Sequence, residues 1–158
     1  MKNIRIIIVD DHEMVIQGLK ALIESNPGFE VVKAFTNGMD AIEEYTSINP
    51  DIVLMDINMP IINGFDTSSK LLALDQDAKI IMLSMEVNKP YMKKALEEGI
   101  KGYVSKSADI NELLKSIKNV QGGGMSFNNY MQVANWSIKG NSSSNFLFSG
   151  TRVYFIVQ

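Results

Sequence analysis

The sequence predicts a doubly wound α/β domain built on a parallel sheet that is covered on both faces. Two observations carry that expectation. Short β-branched runs alternate with amphipathic helical patterns five times over residues 1–124, the order that right-handed crossovers turn into an open sheet with helices on either side. Most of the runs are apolar at consecutive positions instead of every second one, and a strand reads that way only when neither of its faces meets water.

Taken in order, residues 4–9 (Ile-Arg-Ile-Ile-Ile-Val) form the first predicted strand, and Val15, Leu19, Leu22 and Ile23 follow at helical spacing. Residues 30–35 read as the second strand, with a helix near 38–48. The third strand, 52–55, precedes a helix near 64–74, and the fourth, 79–83, precedes one near 88–98. A short fifth strand over 102–104 leads into Ile110, Leu113, Leu114, Ile117 and Val120, the apolar stripe of a last helix.

Composition bounds the rest. A chain of 158 residues, 46% hydrophobic and 21% charged, has material for one sizeable core and an appendage. Its net charge of −3 offers no whole-chain attraction to nucleic acid or an anionic membrane. With no cysteine, thiolate zinc sites, disulfides and cysteine nucleophiles are excluded, and the lone His12 cannot build a multi-histidine metal site. No stretch approaches the roughly 20 apolar residues that cross a bilayer, and the apolar run after Lys2 and Arg5 stops at Asp10 and Asp11, too short for a signal peptide. The expected location is the cytoplasm.

The charges are uneven. Residues 125–158 hold no Asp or Glu and only Lys139 and Arg152 as basic residues, yet carry seven of the 13 aromatics. Gly122, Gly123 and Gly124 mark the boundary. The expected organisation is a domain over 1–121, then a glycine-rich linker and short tail over 122–158.

In a doubly wound sheet ligands collect beyond the carboxyl ends of the strands, and the chain's promising chemistry falls there. Strand one ends in Asp10-Asp11, strand three in Asp56 followed by Ile57-Asn58-Met59-Pro60, strand four in Ser84, and strand five in Ser105-Lys106. Three converging carboxylates would repel one another unless a cation neutralised them. Few protein oxygens, completed by water and a phosphate, suit Mg2+ better than a caged Ca2+. A carboxylate facing Lys106 stays ionised and can attack a phosphoryl group, while Ser84 can donate a hydrogen bond to one of its oxygens.

These residues carry a resemblance. Val9-Asp10-Asp11-His12, Leu54-Met55-Asp56 with Met59-Pro60 and Gly64, Leu83-Ser84, and Gly102-Tyr103-Val104-Ser105-Lys106 occur in the order and at the strand ends found in receiver domains of two-component response regulators. The resemblance spans residues 1 to about 121, roughly three quarters of the chain, and it implies a flavodoxin-like (βα)5 sheet of order 2-1-3-4-5. It further implies that Asp56 is the phosphoacceptor, that Asp10, Asp11, Asp56 and the Asn58 carbonyl hold Mg2+, and that Ser84, Tyr103 and Lys106 form the response machinery. Asn58 and Glu86 would set how readily water reaches the phosphoryl group, and a cis peptide would follow Lys106. On phosphorylation Ser84 would move in and the Tyr103 ring would follow from outside. The implied donor is a sensor histidine kinase, the implied output transcriptional, and the domain would turn over nothing beyond its own phosphorylation and dephosphorylation. Residues 112–124 are similar to LuxR-type regulators, whose helix-turn-helix output domain has no complete counterpart here, so DNA binding by this chain alone is not expected.

Blander roles compete residue by residue. Asp10, Asp11 and Asp56 could each be turn formers or helix caps, Lys106 a surface lysine, Ser84 a solvated hydroxyl and Tyr103 a core aromatic. His12 reads as a non-catalytic residue at the entry to the first helix. Met55, Met59, Met82, Met85 and Met92 read as core or partner-facing surface, and Glu97 and Glu98 as a solvated helix face. An aspartyl-nucleophile phosphatase would usually place a second acid two residues after the nucleophile, where this chain has Asn58. A small-ligand module on the same fold is the other alternative, whereas nucleotide-binding glycine motifs are absent. In the tail, 125–139 suit a linker helix and 146–148 with 153–157 a hairpin around Ser149-Gly150, packing on the domain or on a second copy, unless the tail is the remnant of a truncated gene.

Overall fold

The computed structural model describes residues 2–86 and 88–127, and the backbone of 144–149 and 152–157. Five strands, β1 (Ile4–Val9), β2 (Phe29–Phe35), β3 (Ile52–Asp56), β4 (Ile80–Ser84) and β5 (Gly102–Ser105), form one sheet of order β2-β1-β3-β4-β5. Every neighbouring pair is parallel. Helices α1 (Glu13–Glu24), α2 (Gly38–Ile48), α3 (Gly64–Leu74), α4 (Lys89–Glu97) and α5 (Ile110–Gln121) connect and follow them. This is the flavodoxin-like (βα)5 architecture.

The consecutive apolar runs are explained by two cores, one on each side of the sheet. Ile6 and Ile8 of β1 pack with Ile23 of α1 and with Leu113, Leu114 and Ile117 of α5. Ile7 and Val9, pointing the other way, pack with Ala41 and Tyr45 of α2, Phe65 and Leu71 of α3, and Met92 and Ala95 of α4. Each side chain of this size removed from water contributes about 1.5 to 3 kcal/mol before conformational entropy is subtracted. Both β3 and β4 are buried along their whole length. The edge strand β2 instead alternates, burying Phe29 and Val31 but exposing Glu30.

Four of the helices begin on a side chain made for the purpose. Asn37, Asn63, Asn88 and Asp109 accept hydrogen bonds from the backbone N–H groups of Asp40, Asp66, Tyr91 and Glu112, each cap contributing about 1 kcal/mol. Helix α1 is the exception: its N-cap residue, His12, makes no capping bond with its side chain.

The packed body continues past the last helix to Phe127. After a turn at Gly123, whose φ of 90° is in the left-handed region, Met125 and Phe127 bury themselves on the α4 side of the sheet. Between them Ser126 lies alongside β5 in a parallel bridge to Gly102. The Tyr103 N–H donates to the Ser126 carbonyl at 2.8 Å and the Ser126 N–H to the Lys101 carbonyl at 2.9 Å. A Cβ on Gly102 would stand 3.0 Å from that Ser126 oxygen, so the approach suits a glycine. The linker helix expected from residue 125 therefore does not begin there, because the Ser126 backbone bonds to Lys101 and Tyr103 instead; residues 128–139 lie outside the described residues. Farther on, β6 (Ser144–Ser149) and β7 (Arg152–Val157) pair antiparallel as the hairpin expected around Ser149-Gly150. Among the described residues no helix is long and apolar enough to cross a membrane.

Candidate functional site

The sheet ladder carries the chemistry to its rim. Strands β3, β4 and β5 each run one residue beyond the expected end, so Asp56 pairs in register with Leu83 and Ser84 with Ser105. These side chains are thus held by strand backbone and not by loops. Beside them β1 delivers Asp10, fully buried, and Asp11.

Lys106 ties the acids together. Its Nζ lies 2.6 Å from Asp10 Oδ2 and 2.9 Å from Asp56 Oδ1. Its backbone N–H donates to the Ser84 carbonyl at 2.8 Å, which fixes where the side chain starts. All peptide bonds among the described residues are trans. The cis bond expected at Lys106-Ser107 is therefore absent: the trans chain already brings the ammonium to both carboxylates. Burial pushes this ammonium down, but the carboxylates of Asp10 and Asp56 outweigh it and hold Lys106 above the ordinary lysine value. It remains a cation wherever the domain works.

Asp56 experiences the opposite balance. Burial, and after it the negative charge of Asp10, raises its carboxyl above the ordinary carboxylate range even though Lys106 pulls it down. Burial strips water from the charge, and one lysine shared between two acids does not replace it.

A tight main-chain crossing backs the acid. The Gly64 N–H donates to the Ile57 carbonyl at 2.7 Å, and a Cβ on Gly64 would stand 1.9 Å from the Asp56 carbonyl oxygen. Only glycine lets α3 start this close to the acid. In the loop between, Asn58 is exposed and Met59 buried, and exposed Ile61 takes a φ of 72°.

Ser84 and Tyr103 share one acceptor. The Ser84 hydroxyl donates to the Glu86 carbonyl at 2.7 Å, and the Tyr103 hydroxyl donates to the same oxygen at 3.2 Å. The Tyr103 ring is only 2% exposed, so it already lies inside, contrary to the expectation that it enters from outside. The Glu86 carbonyl satisfies its hydroxyl, which is what lets a phenol be buried here. The Glu86 side chain is exposed.

The bland readings hold elsewhere. Met55, Met59, Met82 and Met92 are buried and Met85 is exposed. Glu97 and Glu98 form exposed-face pairs with Lys93 and Lys94 at 3.8 and 3.7 Å.

The residues present fit a divalent cation. Asp10, Asp11, His12 and Asp56 each offer a ligand atom within 4.8 Å of one another. Two buried carboxylate oxygens, Asp11 Oδ1 and Asp56 Oδ2, have no hydrogen-bond partner, and buried acceptors left unpaired are costly unless a ligand completes them. Asp10 differs, since Lys106 and the His12 N–H and ring occupy both its oxygens. Sequence reasoning set His12 aside as non-catalytic; its position directly after two acids was the signal that it stands in the pocket.

Comparison with known proteins decides the family. Residues 6–118 match the response regulator receiver domain. The chain belongs to this family. Residues 6–118 thus form a receiver domain, the phosphorylation-dependent switch module of two-component signalling. The chain is 37% identical over 122 residues to the transcriptional regulatory protein DegU of Brevibacillus brevis, covering 77% of this chain and 52% of that one. With the response regulator UvrY of Escherichia coli K12 it shares 36% over 120 residues, 76% of this chain and 55% of the other. A crystal structure of a LuxR-family two-component response regulator from Aurantimonas superposes with a TM-score of 0.79 at 32% identity, covering 84% of this chain and 94% of that one. The receiver thus spans about half the length of the curated relatives it matches.

Proposed function

We propose that this receiver accepts a phosphoryl group on Asp56 from the phosphohistidine of a sensor histidine kinase, with Mg2+ bound, and that the output is control of transcription. The observation that supports it most is the Asp56 carboxylate, buried at a strand end with one oxygen on Lys106 and the other unpartnered. Asp11, Asp56 and the Asn58 carbonyl would hold Mg2+, which supplies positive charge against the phosphoryl oxygens. Asp10 orients Lys106. In the transfer an Asp56 oxygen attacks phosphorus, the P–N bond breaks, and the imidazole leaves with its electron pair and takes up a proton. Lys106 neutralises charge on the equatorial oxygens, and Ser84 turns from the Glu86 carbonyl to donate to one of them. The chain is read as cytoplasmic, with a second copy as a candidate partner and DNA binding by these residues alone not part of the reading.

Incubation with a small phosphodonor tests this. One phosphoryl group per chain should appear with Mg2+ and be lost on chelation and in Asp56→Asn; an Asp56→Asn protein labelled at the normal rate would end the assignment. Asn58 and Glu86, both exposed, would leave the phosphoryl group open to water. Hydrolysis should slow in an Asn58→Lys, Glu86→Tyr double variant, and unchanged decay would remove these residues from any role in its lifetime.

A further inference from the structure

His12 is the residue of the acidic pocket that the receiver chemistry leaves without a task. As N-cap of α1 it makes no capping bond with its side chain. Its ring instead turns to the acids, with Nδ1 3.1 Å from Asp10 Oδ1 and 3.1 Å from Asp11 Oδ1. A hydrogen on Nδ1 points in one direction and can serve one of the two oxygens. It serves Asp10; Asp11 Oδ1 has no hydrogen-bond partner although the nitrogen is that close. The separation is, however, that of two neighbouring ligands on one ion, since donor atoms at right angles about 2.1 Å from an octahedral cation lie about 3 Å apart. The second orphaned oxygen, Asp56 Oδ2, belongs to the same cluster, on a side chain that is 7% exposed.

We propose that His12 Nδ1 is a ligand of the divalent ion in this pocket, giving the site a nitrogen donor and so a preference for first-row transition ions beyond that of an all-oxygen site. The inference rests on reading the acidic pocket as a divalent-ion site. Imidazole favours ions such as Ni2+, Co2+ and Zn2+, whereas carboxylate, carbonyl and water are the donors that suit Mg2+. The ligating form is the neutral imidazole with its proton on Nε2, the side open to solvent, because the His12 side chain is 65% exposed. Binding would exchange the Nδ1 hydrogen bond to Asp10 for a bond to the ion, leaving Asp10 to Lys106 and the His12 backbone N–H.

Calorimetric titration of the full chain, free of any affinity tag, with Ni2+ and separately with Mg2+ tests the proposal, because every divalent ion gains some affinity along the series and only the dependence on His12 is diagnostic. His12→Ala and His12→Gln should each weaken Ni2+ about tenfold or more while changing Mg2+ by less than about twofold. With Co2+, the sole histidine should give a single strongly shifted, exchangeable ring N–H signal in the proton NMR spectrum. Unchanged Ni2+ affinity in both variants, equal loss for Ni2+ and Mg2+, or a Co2+ spectrum without that signal would overturn it. Asp11→Asn separates the two readings: loss of Mg2+ and Ni2+ together supports the pocket, whereas binding of both ions untouched by Asp11→Asn would remove the divalent-ion site itself.

Discussion

Asp56 sits in a conflict that its neighbours only half resolve. One oxygen has Lys106 at 2.9 Å and the other is buried without a partner, so the ionised acid is a liability to the fold as well as its reactive group. Burial and the Asp10 charge raise its pKa above that of an unfolded carboxylate. A group raised in this way stabilises the fold fully below the unfolded value near 3.9 and loses that contribution as pH rises through the raised folded value. Asp56→Asn removes the effect. In the absence of divalent ions the variant should be more stable than the parent by about 1 to 2 kcal/mol at neutral pH, with the gap closing as pH falls through the raised folded value and gone below the unfolded one. Urea denaturation across pH measures it, and a variant no more stable than the parent at neutral pH would show that Asp56 is adequately paired. The sequence placed Asp10, Asp11, Asp56 and Lys106 at strand ends, and these are the side chains that come together here; the Ser84 hydroxyl stands at a strand end too but bonds the Glu86 carbonyl. The sequence did not disclose the sharing of partners. That Lys106 serves two acids, or that Ser84 and Tyr103 donate to one Glu86 carbonyl, depends on side-chain directions that periodicity does not encode.

At the level of elements, the site works because β3 and α3 are joined by a crossing with no spare room. A Cβ on Gly64 would meet the Asp56 carbonyl at 1.9 Å, and backbone cannot rotate aside as a side chain can. Gly64→Ala should therefore cost about 1 to 3 kcal/mol, the range for overpacking, and should slow phosphorylation more than Asn63→Ala, which removes only a helix cap from the same loop. Equal rates for Gly64→Ala and the parent protein would show that the crossing does not position the acid. Strands and helices were legible to within a residue or two because two-sided burial leaves consecutive apolar residues in β1, β3 and β4. Met125–Phe127 was not legible in that way. Three residues after a glycine triplet look like tail, and only the apolar–small–apolar spacing of Met125, Ser126 and Phe127 hinted at an extended segment with one buried face. The hairpin was readable because its two apolar runs flank Ser149-Gly150.

Across the whole molecule, the same strand connects the acid rim with the start of the tail. Tyr103 of β5 donates through its hydroxyl to Glu86, beside Ser84, and through its backbone N–H to Ser126; Ser126 in turn donates its hydroxyl to Ser116 of α5 at 2.8 Å. Were Ser84 to leave the Glu86 carbonyl as proposed, Tyr103 would keep that acceptor alone, and a change at the rim would reach residues 125–127 through two hydrogen bonds. Coupling of this kind is typically about 1 to 3 kcal/mol. NMR with a beryllofluoride mimic should therefore shift Tyr103 and Ser126 together, and a filled site with Ser126 unmoved would break the link. The central claim, that Asp56 is where the phosphoryl group goes, has a more direct test in the chemistry of an acyl phosphate, which borohydride reduces to an alcohol. After treatment with a phosphodonor and Mg2+, then borohydride, peptide mass spectrometry should find homoserine at position 56 and aspartate unaltered at 10 and 11. Homoserine at either of those positions, or none at 56 in a chain that has taken up phosphate, would contradict the account.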